Sequence, residues 1–352
     1  MSYKILFKKD GHVGLAQLIK LRFKSLFSKK IKIGFGTVYL RSTTATRRFH
    51  IDPIIDYINK YSEKYTCDMF LKKDCLSRFN ILIIVKDFAH IDYQKIIDLK
   101  KKNKLLIYRI TDSKSEMYQD GNNELKQQIA LMDGVIVPNP LTQKDIESVN
   151  TNIRLIEAPM ITYKYKKNYE SDGVVKILWE GYKENLESMK RVHSILEKLN
   201  KNLSCKFNLI YHSDISSKDE GLIKYIKWEL SNWENMLISS DIAVVIKPIE
   251  DKYQQRKPST KINTYRLAGL PVVCTPSEAD KMVIEHGKTG FFAYTDDDWY
   301  EYLKKLIENA ALRKEIGRAG RQYVIENFSI DRISRKYMDF FDKLVRDNNF
   351  IK

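Results

Sequence analysis

The chain has 352 residues, long for one domain and comfortable for two, and 43% of them are hydrophobic, enough for ordinary cores. No run of about 20 apolar residues exists, so no segment is expected to cross a bilayer as a helix. The net charge of +16 asks for an anionic partner or surface, and the four cysteines (Cys67, Cys75, Cys205, Cys274) form neither a CxxC pair nor a Cys/His cluster of metal spacing, so no zinc or iron site is expected.

Residues 1–30 hold eight lysines and arginines against one acid, Asp10. Leu15, Leu18, Ile19 and Arg22 fall roughly on one face of a helix. A basic helix of this kind can lie on an anionic membrane surface, or pack on the first domain with its lysines solvated. Lys20, Arg22 and Lys24 interrupt the apolar run, so it does not read as a secretory signal, and a cytosolic location is expected, at the inner membrane face if the basic helix binds lipid.

From residue 31 the chain alternates strand-like and helix-like segments, the pattern of parallel sheets covered on both faces. Strands are expected at 31–40, 68–71, 80–85, 105–110, 134–137 and 153–156. Helices are expected from Pro53, at 93–102, at 124–132 and at 141–149. These make one Rossmann-like domain, residues 31–160. Residues 161–173 read as a linker. The alternation restarts at Val174, with strands at 174–179, 206–211, 241–246, 270–274 and 289–292 and helical tracts at 186–199, 222–237, 299–308 and 311–327. This second Rossmann-like domain spans 174–328. Residues 329–352 end the chain, with a last helix whose apolar side is Ile333, Tyr337, Phe340, Phe341 and Leu344.

In open α/β sheets ligands sit beyond the carboxyl ends of strands. In the first domain this places Arg41, Ser42, Thr43, Thr44 and Arg47, a basic and hydroxyl-rich loop, after the first strand. That loop is either solvated or a cradle for a phosphate. Arg109 ends a later strand, and Asp87, His90 and Asp112 follow strands. His50, His193 and His212 read as structural.

The richest stretch is 257–290. Pro258 suits the first turn of a helix, and Ser259, Thr260 and Lys261 furnish that turn with hydroxyls, free N–H groups and a positive charge. Gly269 and Pro271 stop the helix, and Leu270 to Cys274 read as a buried parallel strand. Taken alone, this is either an anion site or an ordinary αβ unit with a glycine cap. Gly181, Lys183, Lys247 and Lys257 also lie at strand ends.

A strand ending in Gly181, the Lys257–Lys261 turn, then Ala268-Gly269-Leu270-Pro271-Val272-Val273 and His286-Gly287-Lys288-Thr289-Gly290-Phe291 together resemble the donor half of GT-B enzymes related to glycosyltransferase family 4. Asn309 to Phe328 resembles that family's late helix pair. The resemblance implies an α/β fold of two facing Rossmann-like domains, with the C-terminal helix crossing back to the first. It implies transfer of a sugar from a nucleotide-diphosphate sugar to a glycan or lipid-linked acceptor in surface polysaccharide or glycolipid biosynthesis, with no cofactor. Gly181, Lys183, Lys247, Lys257, Ser259, Thr260 and Lys261 would hold the donor, Lys261 touching phosphate directly. Arg41, Ser42, Thr43, Thr44, Arg47 and Arg109 would bind the acceptor, and Asp112, Asp87 or His90 would be the general base that takes the proton of its attacking hydroxyl. The commoner family pattern has two glutamates eight apart where this chain has Arg256 and Thr264. In this the chain resembles a variant subgroup with a Lys-Pro-Ser-Thr-Lys turn.

Two other readings stand beside it. A polyol-phosphate or cytidylyl-activated transferase of the same architecture would want a histidine near the donor loop, and 247–261 has none. A non-catalytic nucleic-acid binder or scaffold would use the positive charge, but no helix-turn-helix or RNA-stacking motif accompanies it, so no nucleic acid is expected.

Overall fold

The computed structural model describes residues 30–37, 44–70, 76–86, 91–112, 123–163, 167, 169, 173–214 and 217–350. The basic segment expected to contact membrane therefore lies outside the described residues, apart from Lys30. The chain divides into two compact units, Met1–Ile161 with Phe328–Lys352, and Thr162–Asn327.

The first unit holds strands β1 (Ile31–Gly36), β2 (Tyr65–Phe70), β3 (Ile81–Val85), β4 (Leu105–Arg109), β5 (Gly134–Val137) and β6 (Ile153–Leu155), all parallel, in the order β2-β1-β3-β4-β5-β6. Its helices are α1 (Ala45–His50), α2 (Asp52–Tyr61), α3 (Tyr93–Lys101), α4 (Asn123–Ala130) and α5 (Pro140–Ile146). All of β3 and β4 is buried, as expected of parallel strands covered on both faces.

The C-terminal helix, Ile330–Asp347, belongs to this unit, and its residues Ile333, Tyr337, Phe340, Phe341 and Leu344 join the core formed by Ile33, Phe35, Ile54, Ile58 and Ile81. Five large apolar side chains buried this way contribute on the order of 10 kcal/mol gross. Tyr65 adds a 2.6 Å hydrogen bond from its hydroxyl to Asp342 and an edge contact with Phe341.

The second unit holds β7 (Val174–Glu180), β8 (Lys206–Ser213), β9 (Ile223–Lys227), β10 (Ile242–Val245), β11 (Val272–Cys274) and β12 (Phe291–Phe292). They are again parallel, in the order β12-β11-β10-β7-β8-β9. Its helices are α6 (Lys190–Asn202), α7 (Leu230–Ser239), α8 (Lys252–Arg256), α9 (Thr260–Leu267), α10 (Asp296–Glu308) and α11 (Ala310–Phe328). The C-terminal helix of the first unit is then α12.

Three local expectations change. The tract 222–237, expected to be one helix, is the edge strand β9 followed by α7; Ile223 and Tyr225 pack toward the core while Lys224 and Lys227 stay at the rim. Of residues 161–173, expected to be a linker, those described from Thr162 onward belong to the second unit. The Tyr163 hydroxyl donates to Thr264 O at 3.0 Å, and Lys167 lies 3.6 Å from Asp241 while donating to Ile238 O at 3.0 Å. Pro258 does not start a helix, because Ser259 is the N-cap and α9 begins at Thr260.

Gly269 ends α9 at φ +82, the left-handed conformation that glycine adopts without strain. Its carbonyl lies so close to Gly317 on α11 that a Cβ at 317 would stand 2.1 Å away.

Candidate active site

Each sheet reverses its strand order once, between β1 and β3 in the first unit and between β7 and β10 in the second. Helices leave to opposite faces at such a point and open a crevice at the carboxyl ends. In the second unit those ends are Glu180-Gly181 and Ile246-Lys247.

Four elements bring charge to this edge. Ser259 caps α9 by position but not by side chain. Its hydroxyl donates to Asp280 Oδ1 at 2.6 Å, so the first-turn amides of α9 have no side-chain cap. Asp280 has no accessible surface, and its other oxygen pairs with Lys247 Nζ at 2.7 Å and accepts from the Ser277 hydroxyl. Lys247 Nζ also donates to Lys257 O at 3.3 Å, and its main-chain N–H donates to Thr275 Oγ1 at 2.7 Å. This buried network ties the loops after β10 and β11 to the start of α9. Lys247 and Ser259 thus act as internal braces, a role different from the direct donor contact expected of them.

Lys261 lies one residue inside α9. Its ammonium donates to Glu180 O at 2.9 Å, across to the end of β7. Burial lowers its pKa to about 8, Glu180 opposes that fall, and Lys257 and Lys247 add to it. The side chain nonetheless keeps exposed surface, so water reaches it and the loss of solvation is partial. A cation held at an uncapped helix start is suited to a phosphate.

The other expected donor residues are placed as follows. Lys257 is half-buried with its ammonium 5.5 Å from the centre of the Tyr253 ring. Thr260 accepts from the Thr264 hydroxyl at 2.8 Å through its carbonyl. Lys183 is exposed, and its backbone N–H donates to Asp214 Oδ1 at 2.9 Å. A Cβ at Gly181 would stand 2.4 Å from the Trp179 indole, so indole packing already requires glycine there. Thr264, at one family glutamate position, is buried and turned back on its own helix.

In the first unit, Asp112 sits just past β4 and pairs with Lys86 Nζ at 2.8 Å, while accepting from the Thr111 hydroxyl at 2.9 Å. Lys86 directly follows β3, beside the strand-order reversal, with φ +72, a conformation costly for a residue with a Cβ. Its main-chain N–H donates to Arg109 O at 2.9 Å.

Arg109, expected to reach an acceptor, has no accessible surface. It donates to the Ile156 carbonyl and stands 3.2 Å from His50 Nδ1, so it braces the interior of the unit. Burial, then Arg109 and Lys86, hold His50 well below its usual pKa. Arg47 is buried too, with Nε and Nη2 both donating to Asp52 Oδ1 at 3.0 and 2.9 Å, and Thr44 caps α1. Arg41, Ser42, Thr43, Asp87 and His90 lie outside the described residues.

Sequence reasoning missed Asp280, Glu180 and Lys86, and read His212 as structural. Ser277-x-x-Asp280 carried a signal, the spacing of a capping box, and Asp280 N–H does donate to Ser277 Oγ at 3.2 Å. Glu180 and His212 carried none, since their pairing depends on the register of β7 with β8.

Comparison with solved structures returns proteins of this architecture. TarM matches at 15% identity and TM-score 0.58, over 82% of this chain and 57% of its own length. HepE from Anabaena, solved with UDP and glucose, matches at 12% identity and TM-score 0.63, over 89% of this chain and 100% of its own. Sucrose-phosphate synthase from Thermosynechococcus elongatus matches at 10% identity and TM-score 0.65, over 90% and 100%. The architecture is GT-B. At such identities the likeness establishes the fold. No family model and no curated protein sequence matches the chain.

Proposed function

We propose that the chain is a glycosyltransferase that moves a sugar from a nucleotide-diphosphate sugar to a glycan or lipid-linked acceptor. It would be related to family 4 through the variant subgroup with a Lys-Pro-Ser-Thr-Lys turn. The observation that carries this reading is the convergence of the uncapped start of α9, Lys261 and the Lys247–Asp280–Ser259 brace at the carboxyl edge where β7 and β10 part. The leaving group is a diphosphate ester, whose negative charge grows as the glycosidic bond breaks. Amides and an ammonium already fixed in place stabilise that charge without reorganising. UDP in the similarly folded HepE is in keeping with such a donor.

The first unit would take the acceptor at the carboxyl edge of its own sheet. Asp112 is the described candidate for its general base and would exchange Lys86 for the acceptor hydroxyl; Asp87 and His90 remain the alternatives. A peripheral position at the inner membrane face, through residues 1–30, would bring a lipid-linked acceptor within reach, in line with the +16 charge.

The test is thermal stabilisation and isothermal titration with UDP, GDP, CDP and their sugars. A ligand at about 100 times its Kd adds about 2.7 kcal/mol to stability. Lys261→Ala is expected to abolish the shift. A wild-type protein that binds none of them refutes the reading.

A further inference from the structure

A buried polar chain under Lys261 has no part in the reading above. Glu180 and His212 are register partners at the carboxyl ends of β7 and β8. His212 has no accessible surface and Glu180 is buried. Glu180 Oε1 stands 2.7 Å from His212 Nδ1, and His212 Nε2 stands 3.0 Å from Asn232 Oδ1.

The protons can be counted from the partners. Asn232 is oriented by two backbone groups, for Glu229 N–H donates to its Oδ1 at 3.1 Å and its Nδ2 donates to Lys227 O at 2.9 Å. The amide oxygen therefore faces the imidazole, and His212 Nε2 must be a donor. A carboxylate facing a bare Nδ1 would set two acceptors against each other at 2.7 Å. One more proton must lie on the line from Nδ1 to Oε1. Whichever atom holds it, Glu180 and His212 together carry no net charge.

That neutrality matters because of what Glu180 touches. Its carbonyl accepts from Lys261, and its N–H donates to the Tyr265 hydroxyl at 3.2 Å, so both backbone groups are gripped by α9. Its carboxylate also acts on Lys261 through space. The other groups around the pair are Tyr265 on the same helix, Lys257 and Lys247 behind Lys261, and Trp228 and Glu229 ahead of α7.

We infer that His212 is a positioning residue for the donor site, neutralising Glu180 so that the Lys261 charge acts on the donor diphosphate. With His212 replaced, Glu180 would repel the diphosphate and hold Lys261 as its own counter-ion. The inference rests on the donor reading and adds a charge device to that site.

Two measurements test it. Histidine-selective 15N NMR with 13C carboxyl shifts of the wild-type protein at neutral pH should show His212 protonated at Nε2 and one further proton held by either His212 Nδ1 or Glu180; a bare Nδ1 beside an ionised Glu180 carboxylate overturns the proposal. Titration with UDP, GDP and CDP should show His212→Gln weakening nucleotide binding about tenfold, the order expected for one uncompensated charge nearby. Glu180→Gln should bind within about threefold of wild type, and the double variant should recover most of the loss, a coupling that a structural role would not give. Equal weakening by both single variants, or a double variant no better than His212→Gln, overturns the role alone. Absence of nucleotide binding by the wild-type protein overturns the donor reading and this role together, while the NMR result still decides the proton count.

Discussion

Ser259 gives its hydroxyl proton to Asp280 Oδ1 at 2.6 Å, although it stands at the N-cap of α9, where serine ordinarily accepts from the helix amides. The hydroxyl is spent on a buried carboxylate twenty-one residues away in sequence. The helix amides are left without a side-chain cap, and the loop that presents them is locked.

Asp280→Ala should therefore be among the most damaging substitutions in the second unit. It strips Lys247, which is 8% exposed, of its carboxylate and leaves a buried cation uncompensated. The expected cost is about 3–5 kcal/mol, a fall in Tm of roughly 10 °C. Ser277→Ala removes one hydroxyl from the same network and should cost about 1 kcal/mol. Thermal denaturation of both variants checks the order; equal effects would mean that Asp280 is not the hub.

Nucleotide affinity should fall as pH rises through about 8, where Lys261 loses its proton in the folded protein. Because that pKa is lowered from 10.5, the unfolded chain binds more protons between about 8 and 10.5, and this residue makes the protein more stable as pH rises across that window. Affinity and stability thus move in opposite directions. Titration calorimetry and melting from pH 7 to 9.5 should show both trends in the wild-type protein and neither contribution in Lys261→Ala.

Asp56 offers a pH dependence of the other sign. Burial, aided by Asp52 and opposed by Arg47, raises its pKa to about 6. The folded protein then binds more protons than the unfolded chain between about 4 and 6, so the Asp56 contribution to stability declines as pH rises through that range. Asp56→Asn should stabilise the protein at pH 7 by about 1–2 kcal/mol, with the gain shrinking toward pH 4.5. A gain that is unchanged at pH 4.5 would contradict the assignment.

Gly317→Ala should destabilise the second unit by about 3 kcal/mol, although alanine is the better helix former. Its Cβ would lie 2.1 Å from Gly269 O, and a backbone carbonyl at a left-handed turn cannot swing aside. Chemical denaturation measures it; a neutral result would mean that α11 shifts freely against that turn.

Much of the architecture was legible in the residues. Continuous apolar runs such as Ile81–Val85 and Ile242–Val245 announce parallel strands buried on both faces, and helix periods of 3.6 announce their cover. The Ile333–Leu344 stripe announces a last helix with an apolar side, and Gly269 marks the end of α9. The stretch 222–237 misled because Ile223 to Lys227 is short enough to fit either period, and pairing with β8 decided for strand. Lys167 looked like part of a loose basic linker, since nothing local announces Asp241 as its partner.

The amino-acid sequence by itself determined the succession of strands and helices, the α/β class and the concentration of cations near residues 257–261, because these depend on neighbours along the chain. Tertiary structure decided which charged side chains are braces and which keep open surface. Lys247 is held by Asp280, Arg109 by Ile156 O and His50, and Glu180 by His212, each through contacts between strands or loops distant in sequence. Charge is carried by residue type, but its availability depends on burial and partners, and those are fixed only when the sheet is assembled.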